Sequence, residues 1–215
     1  MSTTPAAGLT PEIVELRTGV DWDSYVRIDD SFETSGVRLT YHRGTLEVMT
    51  VSQDHEGINR PINSLFENLA DGFDIDSRNL GAVTHRDRNS QTGFEPDSCF
   101  YVTNLDRPCG SGPIELPRDP APDLVIEVDI SRSSMSKMAA YAAVGCREGW
   151  RYNLGEITVF SLADGRVTKA ADSTILPVSS IELNILLAKA NGIRHFEWTR
   201  FVRAWARARR SESQS

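Results

Sequence analysis

The chain is poor in cysteine, in positive charge and in uninterrupted apolar stretches. Its three cysteines, Cys99, Cys109 and Cys146, are odd in number and widely spaced, which fits neither a disulfide framework nor a zinc knuckle. A reducing cytoplasm is therefore the expected compartment. No apolar run approaches the roughly 18 residues of a membrane span. The opening Met1-Ser-Thr-Thr-Pro-Ala-Ala-Gly8 lacks the basic start and apolar stretch of a secretory leader. The expectation is a soluble, unprocessed chain with no membrane partner. The net charge is -7, whereas binding a polyanion over a whole surface needs clustered Lys or Arg. Any such partner must be met locally.

What remains is ordinary globular material: 215 residues, 40% apolar and 25% charged. A core of this size buries roughly 70% of the surface its unfolded chain exposes, so folding requires no staple of disulfides or metal. Residues 13–210 read as one domain, between a small, polar segment 1–12 and a tail 211–215 that are both expected to be flexible. Repeats and clean linkers are missing.

Local patterns predict the elements. Ile13-Val-Glu-Leu16 reads as a strand or extended arm, and Asp21 caps a short helix on which Trp22, Tyr25 and Val26 recur. Val37–Tyr41 and Thr45–Thr50 flank His42-Arg-Gly44 as a β-hairpin. A helix from Asp54 carries Ile58, Ile62, Leu65, Phe66 and Leu69 on one stripe and ends at Asp71-Gly72, with Pro61 kinking it or marking its true start. Strand-like pieces follow at 73–77, 82–86 and 97–103. Residues 104–122, with five prolines and two glycines, read as a long irregular connection. After the strand Asp123–Ile130 come a helix at 134–144 and strands at 149–153, 157–162 and 167–169. A helix then begins at the capping-box spacing Ser179-Ser-Ile-Glu182 and runs to Gly192, and a last helix spans 193–210.

One strand stands out chemically. Residues two apart share a face, so Leu124, Ile126, Val128 and Ile130 point one way and Asp123, Val125, Glu127 and Asp129 the other. Two carboxylates about 4 Å apart repel by roughly 4 kcal/mol at an effective dielectric of 20. A hard divalent cation would compensate them; a solvated edge strand would avoid the conflict.

The run Asp123-Leu-Val-Ile-Glu-Val-Asp-Ile-Ser131, then Ser136-Lys-Met-Ala-Ala-Tyr-Ala-Ala-Val-Gly145 and Glu148-Gly-Trp-Arg-Tyr152, resembles the Uma-two family of restriction-endonuclease-like proteins. So do Gly44-Thr-Leu-Glu-Val-Met49, Asp54-His55-Glu56 and Glu95-Pro-Asp97, all in the family's order. The resemblance covers about residues 20–205. It implies the PD-(D/E)XK nuclease fold, an α/β architecture with a mixed sheet flanked by helices, here preceded by the β-hairpin and with the acidic strand central. It also implies a metal-dependent endonuclease acting on nucleic acid, DNA by family, with Mg²⁺ or Mn²⁺ as cofactor and a homodimer as the arrangement that cuts two strands. Asp97 matches the first acid and Glu127 the second. The lysine that normally follows two residues later is replaced by Asp129, so the resemblance assigns the cation to Lys137 on the next helix. The implied metal ligands are Asp97, Glu127 and the carbonyl of Val128, with Glu47 completing the site directly or through water.

A nuclease fold without activity, serving as a binding or assembly module, is the alternative; a Lys137 turned away from Asp97 and Glu127 would favour it. His55, with Glu56, reads as a helix cap or a surface residue, with contact to substrate as the other reading. On the last helix Trp198, Phe201, Val202 and Trp205 form one stripe and Arg200, Arg203, Arg207 and Arg210 another. The arginine stripe is either a solvated face or a nucleic-acid contact beside the acidic centre.

Overall fold

The computed structural model describes residues 14–32, 36–106, 112–130 and 135–213. The segment 1–12, Ile13, Cys109, Ser134 and the last two residues, all named in sequence-based expectations, lie outside the described residues. The single mixed sheet divides into two mixed sheets. The first contains β1 (Val14–Thr18), β2 (Val37–His42), β3 (Thr45–Thr50), β5 (His85–Asp87), β6 (Thr92–Phe94) and β8 (Ile114–Glu115), in the order β1-β3-β2-β6-β5-β8. Only the β5–β8 pair is parallel. The second contains β4 (Arg78–Gly81), β7 (Ser98–Tyr101), β9 (Leu124–Asp129), β10 (Glu148–Asn153), β11 (Glu156–Ser161) and β12 (Thr168–Ala170), in the order β12-β11-β10-β9-β7-β4. Here β9 and β10 are parallel, joined over α3 (Met135–Ala143), and the other neighbours are antiparallel. The chain passes between the sheets through Glu95-Pro96-Asp97, where Pro96 has no N–H to give to either ladder.

In the first sheet, the β2–β3 turn places Arg43 and Gly44 both at positive φ (45° and 87°), the geometry that a two-residue hairpin twist demands. Leu39, Tyr41 and Leu46 bury against Trp22 and Tyr25 of α1 (Trp22–Ser31). Asp21 caps that helix, accepting from the Ser24 N–H at 2.9 Å. The helix α2 (Gln53–Phe73) starts one residue earlier than its sequence pattern suggests, because the Ser52 hydroxyl takes the His55 N–H at 3.1 Å. It continues through Pro61, which only deprives the Gly57 carbonyl of a partner.

It also ends later, at Asp74 in the left-handed conformation (φ 64°) and not at Asp71-Gly72. Gly72 serves packing instead. A Cβ there would stand 2.5 Å from the Ala206 Cβ and 2.9 Å from the Arg203 carbonyl, on α5 (His195–Ser213). The strand expected at 73–77 is therefore helix end and turn; Phe73 and Ile75 are apolar because they pack on the main core.

That core lies between the second sheet and the helices α2, α4 (Ser180–Ala188) and α5. Ser179 and Glu182 form the complete capping box of α4. On the sheet's other face, α3 packs Met138 and Tyr141 against Val125, Tyr101 and Phe94. Every residue of β9 is buried, so it is an interior strand and its acids are not solvated. Among the described residues no helix is long and apolar enough to cross a membrane.

Candidate active site

The register of β7 on β9, Ser98 opposite Ile126, carries Asp97 alongside Glu127 and Val128. Asp97 Oδ2 accepts from the Val128 N–H at 2.7 Å. In an extended strand the N–H and C=O of one residue point to the same edge, so the Val128 carbonyl also lies on the Asp97 side. Glu95, the other acid of the crossing, faces the first sheet: its Oε1 accepts from Thr84 Oγ1 at 2.8 Å and its Oε2 lies 3.4 Å from the Leu39 N–H. Glu95 belongs to the framework and Asp97 to the site.

Lys137 and Tyr141 are one helical turn apart on α3, and both reach Glu127. The Lys137 ammonium donates to Oε2 at 3.1 Å and the Tyr141 hydroxyl donates to Oε1. Glu47, on β3 of the other sheet, places Oε1 4.0 Å from Lys137 Nζ. Four residues singled out in the sequence thus come together: Asp97 and Glu127 side by side, Lys137 on Glu127, and Glu47 beside Lys137. The other acids of the 123–129 run do not join them. Asp123 accepts from the Val102 and Thr103 N–H groups at 2.8 and 2.9 Å and pairs with Arg147 at 2.9 Å; Asp129 pairs with Arg151 at 2.5 Å.

His55 is neither a cap nor a surface residue. Only 1% exposed, it brings Nε2 to 3.0 Å from Asp97 Oδ2. Asn59, one turn later on α2, donates to the Asp97 carbonyl at 3.0 Å and to Ser98 Oγ at 3.1 Å. His55, Asn59 and Tyr141 are the contributors that sequence reasoning missed. Their signals are i, i+4 pairs: His55 with Asn59, and Lys137 with Tyr141.

The electrostatics separate the two acids. For Glu127, burial pushes the carboxyl up to about 7, with the Asp97 charge acting in the same direction and Lys137 opposing. For Asp97, burial acts upward but is outweighed by the His55 hydrogen bond and charge, by Lys137 and by the Val128 N–H, so it stays below the ordinary carboxylate range. Burial of Lys137 is likewise overcome, by Glu127 first and then Asp97 and Glu47, and the ammonium is held.

Asp97 Oδ1 is buried and has no hydrogen-bond partner, an uncommon state for a carboxylate oxygen. Asp97 and Ser98 line a cleft of about 780 Å³ whose walls include Arg38, Asn59 and Arg60. Among the described residues no three His, Cys, Asp or Glu side chains already stand as a ligand group. The donor set is instead two carboxylates and a carbonyl with one oxygen open, which fits a hard cation that keeps part of its water. Two of the α5 arginines stand away from the acids: Arg207 and Arg203 pair with Asp71 at 3.2 and 3.9 Å, roughly 24 Å along α2 from His55 at 1.5 Å per residue. Arg200 lies over the Phe196 ring, and His195 at the start of the same helix lines the cleft beside Asp97.

This arrangement has the fold of a solved structure. A putative nuclease belonging to DUF820 from Anabaena variabilis ATCC 29413 superposes with a TM-score of 0.51 at 15% identity, over 77% of this chain and 98% of that one. Residues 22–185 match the model of the Uma2 family, described as putative restriction endonucleases, and the chain belongs to that family. No curated protein matches it.

Proposed function

We propose that this protein is a metal-dependent endonuclease that hydrolyses phosphodiester bonds, with DNA as the substrate the family favours. The observation that carries this reading is the convergence of Asp97, Glu127 and Lys137, from three separate stretches of chain, around one open carboxylate oxygen. Asp97, Glu127 and the Val128 carbonyl would hold Mg²⁺ or Mn²⁺, with Glu47 reached through water. The ion, when bound, supplies positive charge to phosphate oxygens and acidifies a water.

The chain's own residues do the rest. His55 and Asn59 fix the Asp97 carboxylate and backbone through Oδ2 and the carbonyl, which leaves Oδ1 as the oxygen without a partner. Lys137 lies 3.1 Å from Glu127 and supplies a compact ammonium, suited to orienting the attacking water or offsetting charge that develops on the phosphate. Cutting both strands with one such site per chain calls for two copies.

The test is Mn²⁺ binding by calorimetry together with cleavage of supercoiled plasmid. Asp97→Ala and Glu127→Ala are expected to lose both; Lys137→Ala is expected to keep the metal and lose rate. Wild-type cleavage by Asp97→Ala would refute the assignment. One observation favours the second reading, an inactive binding or assembly module: both Glu127 oxygens are already engaged by Lys137 and Tyr141. Wild-type protein that takes up no Mn²⁺ would select that reading.

A further inference from the structure

We infer that the cleft beside Asp97 seats the polynucleotide backbone, and that Arg38 and Arg60 are its phosphate contacts in place of the α5 arginines. The inference rests on the nuclease reading above and adds to it the residues that hold the substrate. One wall of the cleft is a face of α2 on which Gly57, Arg60, Pro61 and Ser64 recur three and four apart; Arg38 of β2 stands on another side, and Asp97 and Ser98 lie within it. A strand lying there passes beside Asp97, which lines the cleft.

The two arginines are in an unusual state. Arg60 is exposed and makes no ion pair among the described residues. The Arg38 Nε is buried with no hydrogen-bond partner, and the nearest carboxylate, Glu56, is 3.8 Å away. Buried donors are nearly always paired, and a guanidinium presents its N–H groups in a fork that matches a phosphate. Glu56 and Glu67 line the same cleft. Glu56 stands beside Arg38 and competes with phosphate for it, which leaves Arg60 the less opposed contact. On α5, Arg207, Arg209 and Arg210 are each paired with an acid, at 3.2, 3.2 and 3.1 Å; Arg203, like Arg38, has a buried Nε without a partner, but it stands beside Asp71 at 3.9 Å and does not line the cleft.

The experiment is fluorescence anisotropy in EDTA, which reads binding without metal or cleavage, using a short fluorescein-labelled DNA duplex, its single strand and the matching RNA. For the probe that binds, Arg60→Gln and Arg38→Gln should each lower the slope of log affinity against log salt by about one, and Arg207→Gln should leave it unchanged. Arg60 is exposed, so its variant keeps the fold and circular dichroism checks this. An unchanged slope in Arg60→Gln, or a drop carried by Arg207→Gln, overturns the cleft assignment while leaving the nuclease reading standing. Failure of all three probes to bind wild type also overturns the cleft assignment, while the nuclease reading is decided by Mn²⁺ binding and plasmid cleavage.

Discussion

Glu127 and Asp97 lie next to each other in one low-dielectric pocket, yet their neighbours hold one carboxyl up and the other down. That difference comes from single contacts, and those contacts were unequally visible in the sequence. The acids and Lys137 could be picked out because a strand carrying three carboxylates needs an explanation and because the motifs fall in a family's order. His55 could not, because the position next to a helix start ordinarily means a cap, and only the long-range approach of Asp97 makes it a partner. A further residue gives a pH prediction. Burial holds His85 down to about 4, with Nδ1 against the Val83 carbonyl and the ring stacked on Phe94. Its folded value lies below its unfolded 6.5, so the unfolded chain binds the extra proton between these two values. Stability is therefore present above pH 6.5 and is lost as pH falls toward 4, by up to about 3 kcal/mol. Urea unfolding followed across this range should show the loss in wild type and a flatter profile in His85→Gln.

Helix ends were legible where a side chain announces them, as at Asp21 and Ser179, and illegible where tertiary packing decides. Asp71-Gly72 has the composition of a stop, but Gly72 is there so that α5 can approach α2 closely. Gly72→Ala should therefore destabilise the protein by roughly 1–2 kcal/mol, the close approach outweighing the ~1 kcal/mol of helix propensity gained. A rise in thermal midpoint for that variant would contradict the packing role. Ser179→Ala removes one half of the α4 capping box and should cost about 1 kcal/mol in denaturant unfolding.

At the scale of the whole molecule, α5 is a structural member: Trp198, Val202 and Ala206 are buried in the main core, and the Trp198 indole donates to the Leu186 carbonyl at 2.8 Å. A chain ending before His195 should lose its cooperative thermal transition, so truncation cannot be used to probe nucleic-acid binding. Periodicity gave the alternation of strands and helices but left the acidic strand either interior or at an edge; its central place came from the family resemblance. The division into two sheets could not be read, because the chain changes sheet repeatedly between β3 and β9, once through only the three residues Glu95-Pro96-Asp97, and such crossings carry no periodic signal. Glu47 comes from one sheet and Glu127 from the other, with Lys137 between them and Asp97 at the crossing itself. The second sheet and its helices therefore assemble Asp97, Glu127 and Lys137 by themselves, and docking of the first sheet adds Glu47 as the last piece. A change that loosens the contact between the sheets would act on the centre through Lys137 and Glu47 first.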